Sequence, residues 1–171
     1  MKLVALIAVV ATGLLTSPAA KAEDISERTI KIGIGLNEDH PQAKAVKKFG
    51  ELVKQKSDGK IKVKLFAGGT LGNDVTMISS LQGGTLEMTV PDTSTLVGSA
   101  GLEPFGLINL PFLFAKAEQA DALLDGPFGQ QLLARLPAKG LIGLGFWENG
   151  FRQVTNSRRP INTAADFAGL K

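Results

Sequence analysis

The arginine at position 152 is the side chain in this sequence best suited to bind a carboxylate. Arg152 stands between Phe151 and Val154, at the end of an apolar segment where a solvated arginine is less expected. A guanidinium group is planar and pairs with a carboxylate through two parallel hydrogen bonds. The sequence therefore predicts that Arg152 contacts an acidic ligand. The alternative is a structural ion pair with Glu148 or with an aspartate.

Two aspartates and the single histidine stand at the ends of predicted strands and helices. Asp92 follows a predicted strand, and open α/β sheets bind ligands at the carboxyl ends of their strands. An aspartate that faces an acid would repel it, so a role for Asp92 would be indirect, through water or an arginine. Asp74 or Asn73 fits the capping position of a following helix. His40 has no second histidine with which to complete a typical metal site.

Motifs that mark enzymes are scarce in this chain. It contains no Gly-x-Ser-x-Gly elbow, no phosphate-binding Gly-Lys-Ser/Thr loop and no His-Glu-x-x-His pair. Gly33 and Gly35 lie at the end of a predicted strand, but Glu38 stands where a dinucleotide-binding loop has its third glycine. A triad would need His40 as its base, and no marked nucleophile accompanies it. The absence of cysteine excludes zinc fingers and thiol chemistry. Because enzyme motifs are scarce as well, we expect no catalysis, cofactor or metal.

The first 22 residues have the pattern of a secretory signal peptide. Lys2 precedes an apolar run from Leu3 to Leu15, and a small-residue Ala-Lys-Ala sequence ends at Ala22. The run is shorter than the about 20 apolar residues that span a bilayer. We expect cleavage after Ala22, export to the periplasm of a Gram-negative bacterium and no stable membrane insertion afterwards. The alternatives are a buried core helix and a membrane anchor.

The charge of the mature chain, residues 23–171, is nearly balanced. Removing Lys2 and Lys21 from the 19 basic residues leaves 17, against 16 acidic residues. This balance gives no reason to expect binding to nucleic acid or to a membrane surface. An exported chain without disulfides depends on a hydrophobic core, and this length is enough for one domain with such a core.

Alternating apolar patterns predict strands at 29–36, 60–66, 86–90 and 141–147, and a short extended piece at 150–155. Spacings of three and four predict helices at 41–57, from Asn73 or Asp74 to Gly83, at 116–124 and at 128–136, with a helix start at Thr163. Strands that alternate with helices indicate an α/β fold with a largely parallel sheet.

One of the remaining segments is predicted to be irregular. Residues 91–99 are polar and small, and the prolines at 104 and 111 predict a buried, irregular stretch at 102–114. Arg158 and Arg159 precede Pro160 in a turn, where a solvent-facing position is expected. Trp147 is expected in the core, although it would also suit the lining of a cleft. The lysines of the first helix are expected on a solvated face.

Several segments, in their order and spacing, resemble the periplasmic receptors of TRAP transporters, the tripartite ATP-independent carboxylate importers. The similar segments cover nearly the whole mature chain: Asn37–Pro41, Ser57–Val63, Gly69–Asp74, Leu81–Met88, Leu110–Phe114, Trp147–Arg152, Thr155–Ile161 and Asp166–Lys171. The chain is most similar to the branch named for four-carbon dicarboxylate uptake.

The resemblance implies a two-domain, cleft-type receptor with a periplasmic-binding-protein-like (type II) fold. Residues 23–150 would form the first domain, with a mixed, mostly parallel sheet, and residues 151–171 the crossover and the incomplete start of the second. The partners would be a small carboxylate, expected to be a C4-dicarboxylate, and the small and large membrane subunits of the transporter. Import would be driven by a sodium gradient.

The resemblance also implies functional positions. Arg152 matches a cleft arginine, Asp74 and Asp92 match polar cleft positions, and His40 belongs to a turn at the cleft mouth. The second arginine of the family, which binds the ligand carboxylate, would follow Lys171 by one residue, so the chain is expected to be truncated. Two alternatives stay open: a receptor remnant that binds no ligand, and an exported hydrolase.

Overall fold

A computed structural model describes residues 25–151 and 154–170 of this chain. The signal peptide hypothesis concerns residues that lie outside this part. The described residues form one three-stranded parallel sheet in the order β2-β1-β3, with β1 at Arg28–Gly33, β2 at Ile61–Phe66 and β3 at Met88–Thr89. The predicted α/β class with a parallel sheet is confirmed. The third strand is shorter than predicted, because only Met88 and Thr89 of it pair with β1.

Five α-helices follow along the described residues: α1 (Pro41–Lys56), α2 (Asp74–Gln82), α3 (Thr93–Ala100), α4 (Ala117–Leu124) and α5 (Pro127–Leu133). Three short 3₁₀ helices complete the description, at Glu103–Asn109, Pro137–Lys139 and Ala164–Phe167. None of the helices in these ranges is long and apolar enough to cross a lipid bilayer.

Helix α1 covers one face of the sheet. Pro41 stands in its first turn, where a missing N–H costs nothing, and the apolar positions recur at a helical spacing. Ala43 and Val46 are buried against Ile32 and Ile34, with Phe49 among the partly buried residues around them. The lysines of the opposite face are exposed, as predicted.

A second hydrophobic cluster lies among α2, α3, α5 and the first 3₁₀ helix. Its buried members include Ile78, Leu96, Phe105, Leu132 and Leu141. Burying a large apolar side chain stabilises the fold by about 1.5–3 kcal/mol. This cluster fixes α2 and α3 relative to each other, and these two helices position the candidate site.

Helix α3 occupies most of the stretch 91–99, for which the sequence indicated only a polar composition and small residues. The carboxylate of Asp92 caps this helix, Leu96 and Ala100 bury its inner face, and Gly101 ends it in a left-handed conformation with φ of 63°. Two apolar positions one turn apart are a weak signal, which explains why the sequence did not predict this helix.

Only the first half of the stretch 102–114 is buried as predicted. Phe105 is buried within a 3₁₀ helix, but Phe112 and Leu110 are exposed, so the second half of the stretch is not part of the core.

The predicted strand at 141–147 is also wrong. No strand among the described residues pairs with it; Leu141 is buried in the second cluster while Ile142 and Leu144 are 81% and 75% exposed. Trp147, which was expected in the core, is 45% exposed.

Candidate functional site

The carboxyl ends of the three strands meet at one edge of the sheet, and the loops that follow them are joined there. The main-chain N–H of Gly69, after β2, donates to the carbonyl oxygen of Ile34, after β1, at 3.0 Å. The N–H of Gly68 donates to the carbonyl oxygen of Leu36 at 2.8 Å. These bonds continue the pairing of β1 with β2 beyond the strand ends, so the two loops form one rigid rim.

An open depression of about 550 Å³ lies at this edge. Three glycines and four other residues line it: Gly35, Gly69, Gly72, Asn73, Asp74, Val75 and Thr95. Gly72 has φ of 102°, a backbone conformation that strongly favours glycine. A Cβ at this position would lie 2.8 Å from Cγ2 of Thr76. Main-chain groups and small polar side chains therefore form most of this wall.

Asp74 and Asp92, which the sequence singled out separately, are joined at the edge of this depression. The N–H of Asp92 donates to Oδ2 of Asp74 at 2.9 Å. Oδ1 of Asp92 in turn accepts from the N–H of Ser94 at 2.9 Å and from its hydroxyl at 2.6 Å, and so caps α3. The bond between the two aspartates ties the start of α2 to the loop after β3.

Asn73, and not Asp74, is the N-terminal cap of α2. Its Oδ1 accepts from the N–H of Thr76 at 3.0 Å and from the Thr76 hydroxyl at 3.1 Å. Asp74 is the first residue of the helix, which leaves its side chain available to reach Asp92. Sequence reasoning missed Asn73, Thr95 and the glycines as lining residues; the Gly-rich loop between β2 and α2 was the available signal.

His40 caps α1 at the same edge of the sheet. Its Nδ1 accepts a hydrogen bond of 3.2 Å from the N–H of Gln42, which satisfies one free donor at the helix start. His40 is not one of the residues that line the depression. Its observed contact is structural, and its assignment to the ligand stays a prediction.

Three helices begin at this edge, and their N-termini differ in charge. A helix N-terminus favours an anion because the peptide dipoles point their positive end there. Asp74 in the first turn of α2 and Asp92 at the cap of α3 already supply negative charge at two of these ends. The first turn of α1 contains no acidic residue. Of the three helix starts, that of α1 has no carboxylate at its cap or in its first turn.

Arg152 lies outside the described residues, four positions after Glu148 in the chain. Nε2 of Gln42, in the first turn of α1, donates to the carbonyl oxygen of Glu148 in a long hydrogen bond of 3.5 Å. Arg152 thus follows by four residues a point of the chain that contacts the start of α1.

Arg158 and Arg159 are exposed, as predicted, and both bind local main chain. Arg158 donates from Nη1 to the carbonyl oxygen of Gly169 at 3.2 Å, and Arg159 donates to the carbonyl oxygens of Asp166 and Ala168. Among residues 25–151 and 154–170, no group of three or more acidic or histidine side chains is arranged to hold a metal ion. The site offers hydrogen-bond partners for a polar ligand.

Comparison with known proteins agrees with this geometry. A model of the family described as DctP, bacterial extracellular solute-binding protein, family 7, matches residues 32–171. The 2,3-diketo-L-gulonate-binding periplasmic protein YiaO of Escherichia coli (strain K12) is 40% identical over 154 residues, which make up 90% of this chain and 46% of that protein. The C4-dicarboxylate-binding periplasmic protein DctP of Rhodobacter capsulatus is 33% identical over 167 residues, 98% of this chain and 49% of that protein.

A solved structure of a relative shows the same fold. The crystal structure of the sugar acid binding protein DctPAm from Advenella mimigardefordensis strain DPN7T, in complex with galactonate, is 49% identical in sequence and superposes with a TM-score of 0.83. The match covers 86% of this chain and 47% of that protein. The chain therefore spans about half the length of the relatives it matches.

Proposed function

Because the chain belongs to the DctP family, bacterial extracellular solute-binding protein family 7, we propose that it forms the first domain of a two-domain receptor that captures a small carboxylate for a TRAP transporter. The observation that carries this proposal is the depression of about 550 Å³ at the carboxyl ends of three parallel strands. Open α/β sheets bind their ligands at this edge. Residues 23–150 would be the first domain and residues 151–171 the passage into the second.

The ligand carboxylate is proposed to bind Arg152 near the start of α1. That helix end carries no acidic residue in its first turn, and the contact between Gln42 and Glu148 brings the chain toward it four residues before Arg152. A guanidinium and a helix N-terminus together supply two kinds of favourable interaction with a carboxylate. His40, at the same helix start, is proposed to lie at the mouth of the cleft.

The proposed ligand is a small carboxylate of one of two kinds. The names of the relatives specify 2,3-diketo-L-gulonate, galactonate and C4-dicarboxylates. These compounds share a carboxylate and differ in whether the rest of the molecule carries hydroxyl groups or a second carboxylate. Sugar acids and C4-dicarboxylates are therefore the two classes to compare.

The proposed cellular setting is supported by the same family. The related proteins YiaO and DctP are periplasmic, and we propose that this chain reaches the periplasm after cleavage of its signal peptide behind Ala22. There it would deliver the ligand to the small and large membrane subunits of the transporter. The chain would act by binding and not by catalysis.

Ligand titration of the full-length gene product tests this proposal. The melting temperature and the fluorescence of Trp147 are measured against a panel of sugar acids and dicarboxylates, and at least one acid should change both. Arg152→Ala should weaken that response, because the remaining groups do not replace a bidentate pair. Arg135→Ala, at an exposed arginine after α5, is the matched control.

Two outcomes would contradict the proposal. A folded protein that responds to no acid would remove the receptor function, and undiminished affinity in Arg152→Ala would remove Arg152 from the site. Turnover of an ester or glycoside with no carboxylate binding would favour the exported-hydrolase alternative.

A further inference from the structure

We infer that the ligand is a monocarboxylate that carries several hydroxyl groups, and that Asp74 selects it over a C4-dicarboxylate. This inference rests on the proposed function, since it concerns the same depression. It adds which part of the ligand contacts the lining of the depression. That part is the end of the ligand remote from the carboxylate held near α1.

The charge of the wall is the first observation. Of the seven residues that line the depression, Asp74 is the one that carries a charge, and that charge is negative. The other polar side chains, Asn73 and Thr95, are neutral. A second carboxylate placed here would meet a like charge, whereas a hydroxyl group would meet an acceptor to which it can donate.

The helix ends give no compensating attraction at this wall. Helix α2 begins with Asp74 and α3 is capped by Asp92, so both N-termini next to the depression already have a carboxylate from the chain. The favourable field of a helix N-terminus extends over about its first turn only. The anion-favouring end of α1 is therefore left for one ligand carboxylate, and the wall by α2 and α3 for uncharged groups.

Asp74 is held in place for this role. Its Oδ2 accepts the N–H of Asp92 at 2.9 Å, which fixes the plane of the carboxylate. Its Oδ1 faces Gly35, where a Cβ would lie 3.6 Å from that oxygen. An acceptor whose orientation is fixed before the ligand arrives loses less side-chain entropy on binding than a mobile one.

The missing side chain at Gly35 leaves the space in front of Oδ1 open. Gly35 is exposed and lies outside the left-handed region, so no backbone strain requires glycine there. Gly35, Gly69 and Gly72 have no side chains that would project into the depression. An extended polyhydroxylated ligand can therefore reach main-chain groups as well as Asp74. A ligand hydroxyl group that donates to Oδ1 of Asp74 would occupy this space, which explains why residue 35 has no side chain.

A pair of ligands of equal length tests the inference in the full-length protein. D-erythronate and succinate both have four carbons, but erythronate has three hydroxyl groups where succinate has a second carboxylate. Isothermal titration should show erythronate or the longer galactonate binding at least about tenfold tighter than succinate, as expected for hydrogen bonds to a charged group. Equal or tighter binding of succinate would overturn the inference and leave the proposed function standing.

Two variants locate the selectivity at Asp74. Asp74→Asn keeps an oxygen that can accept the N–H of Asp92 but removes the negative charge, so it should weaken the hydroxy acid about tenfold and strengthen succinate. Gly35→Ala leaves Asp74 unchanged and fills the space before Oδ1, so it should weaken the hydroxy acid alone. If Asp74→Asn weakens both acids equally, Asp74 is a structural residue and the inference is wrong.

Matched controls separate these effects from general ones. Glu118→Gln removes the same charge from the first turn of α4, and Gly98→Ala adds the same methyl group to the exposed side of α3. Neither should change the ratio of the two affinities. A protein that binds none of the acids tested overturns the proposed function itself, and with it this inference. The wild-type comparison decides the ligand class even if a variant fails to fold.

Discussion

The guanidinium group of Arg159 donates to the main-chain carbonyl oxygen of Asp166. The side-chain carboxylate of Asp166 accepts hydrogen bonds from other donors. Nη2 of Arg159 donates to the carbonyl oxygen of Asp166 at 3.0 Å, and also to that of Ala168. The Asp166 carboxylate accepts from the N–H groups of Asn162 and Thr163. An arginine and an aspartate seven residues apart thus close a loop of the chain without forming an ion pair.

Replacing Arg159 should loosen this loop. Arg159→Ala removes donors to two carbonyl oxygens, so hydrogen exchange of amides in residues 156–170 should accelerate about tenfold, since a hydrogen bond contributes about 0.5–1.5 kcal/mol. Arg158→Ala, which removes one bond of 3.2 Å to Gly169, should have a smaller effect. Equal exchange rates in wild type and Arg159→Ala would contradict the closing role.

The Asp166 carboxyl should titrate below its ordinary range. Hydrogen bonds from the N–H of Asn162, from the N–H of Thr163 and from the Thr163 hydroxyl hold the pKa of Asp166 below its ordinary value of 3.8. A lowered pKa stabilises the fold at pH values above that ordinary value, and the contribution is lost as the pH falls through the pKa of the folded state. The carbon chemical shift of this carboxyl should show a midpoint below 3.8, and a midpoint at or above 3.8 would refute the assignment.

Gly72 should not tolerate a side chain. Gly72→Ala places a Cβ 2.8 Å from Thr76 at φ of 102°, and an unfavourable backbone conformation of this kind costs about 1–3 kcal/mol. Gly84→Ala is the matched control, because Gly84 also has a positive φ, of 71°, but no atom lies within 4 Å of a Cβ there. Urea unfolding should show a larger loss of stability for Gly72→Ala, and equal losses would show that crowding by Thr76 is unimportant.

Two leucines three residues apart should differ in how much their truncation destabilises the fold. Leu141 is 8% exposed within the second cluster, so Leu141→Ala should destabilise this chain by about 2–5 kcal/mol. Leu144 is 75% exposed, and Leu144→Ala should change the free energy of unfolding by less than about 0.5 kcal/mol. Comparable losses in denaturant titrations would mean that 141–147 is buried on both faces, as a central strand would be.

Periodicity was enough to predict the elements with strong local patterns. In β2 the alternation of lysines with Ile61, Val63 and Leu65 matches the observed alternation of exposed and partly buried residues, and α1 follows its three-and-four spacing. The same kind of pattern failed at 141–147. Alternation reports which side chains are apolar, but a strand also needs a hydrogen-bonded neighbour, which the pattern does not contain.

The candidate site was predictable only in parts. The sequence pointed to Asp74 and Asp92 because each stands where a helix begins, yet the bond of 2.9 Å between them joins positions 18 residues apart. The assignment of Asp74 as a possible cap failed to distinguish it from Asn73, since both residue types satisfy a helix start. Arg152 stays a prediction, supported by the position of Glu148 beside α1.

The sequence by itself determined the class of fold, the family and the residue types available for binding, because these depend on local patterns and on the order of short motifs. Tertiary structure decided which of those residues act together. Parallel pairing of β1 with β2 and β3 brings the ends of all three strands to one edge. Only that pairing places Gly35, Asp74 and Thr95 around one depression, since contacts between distant parts of a chain are set by packing and not by local preference.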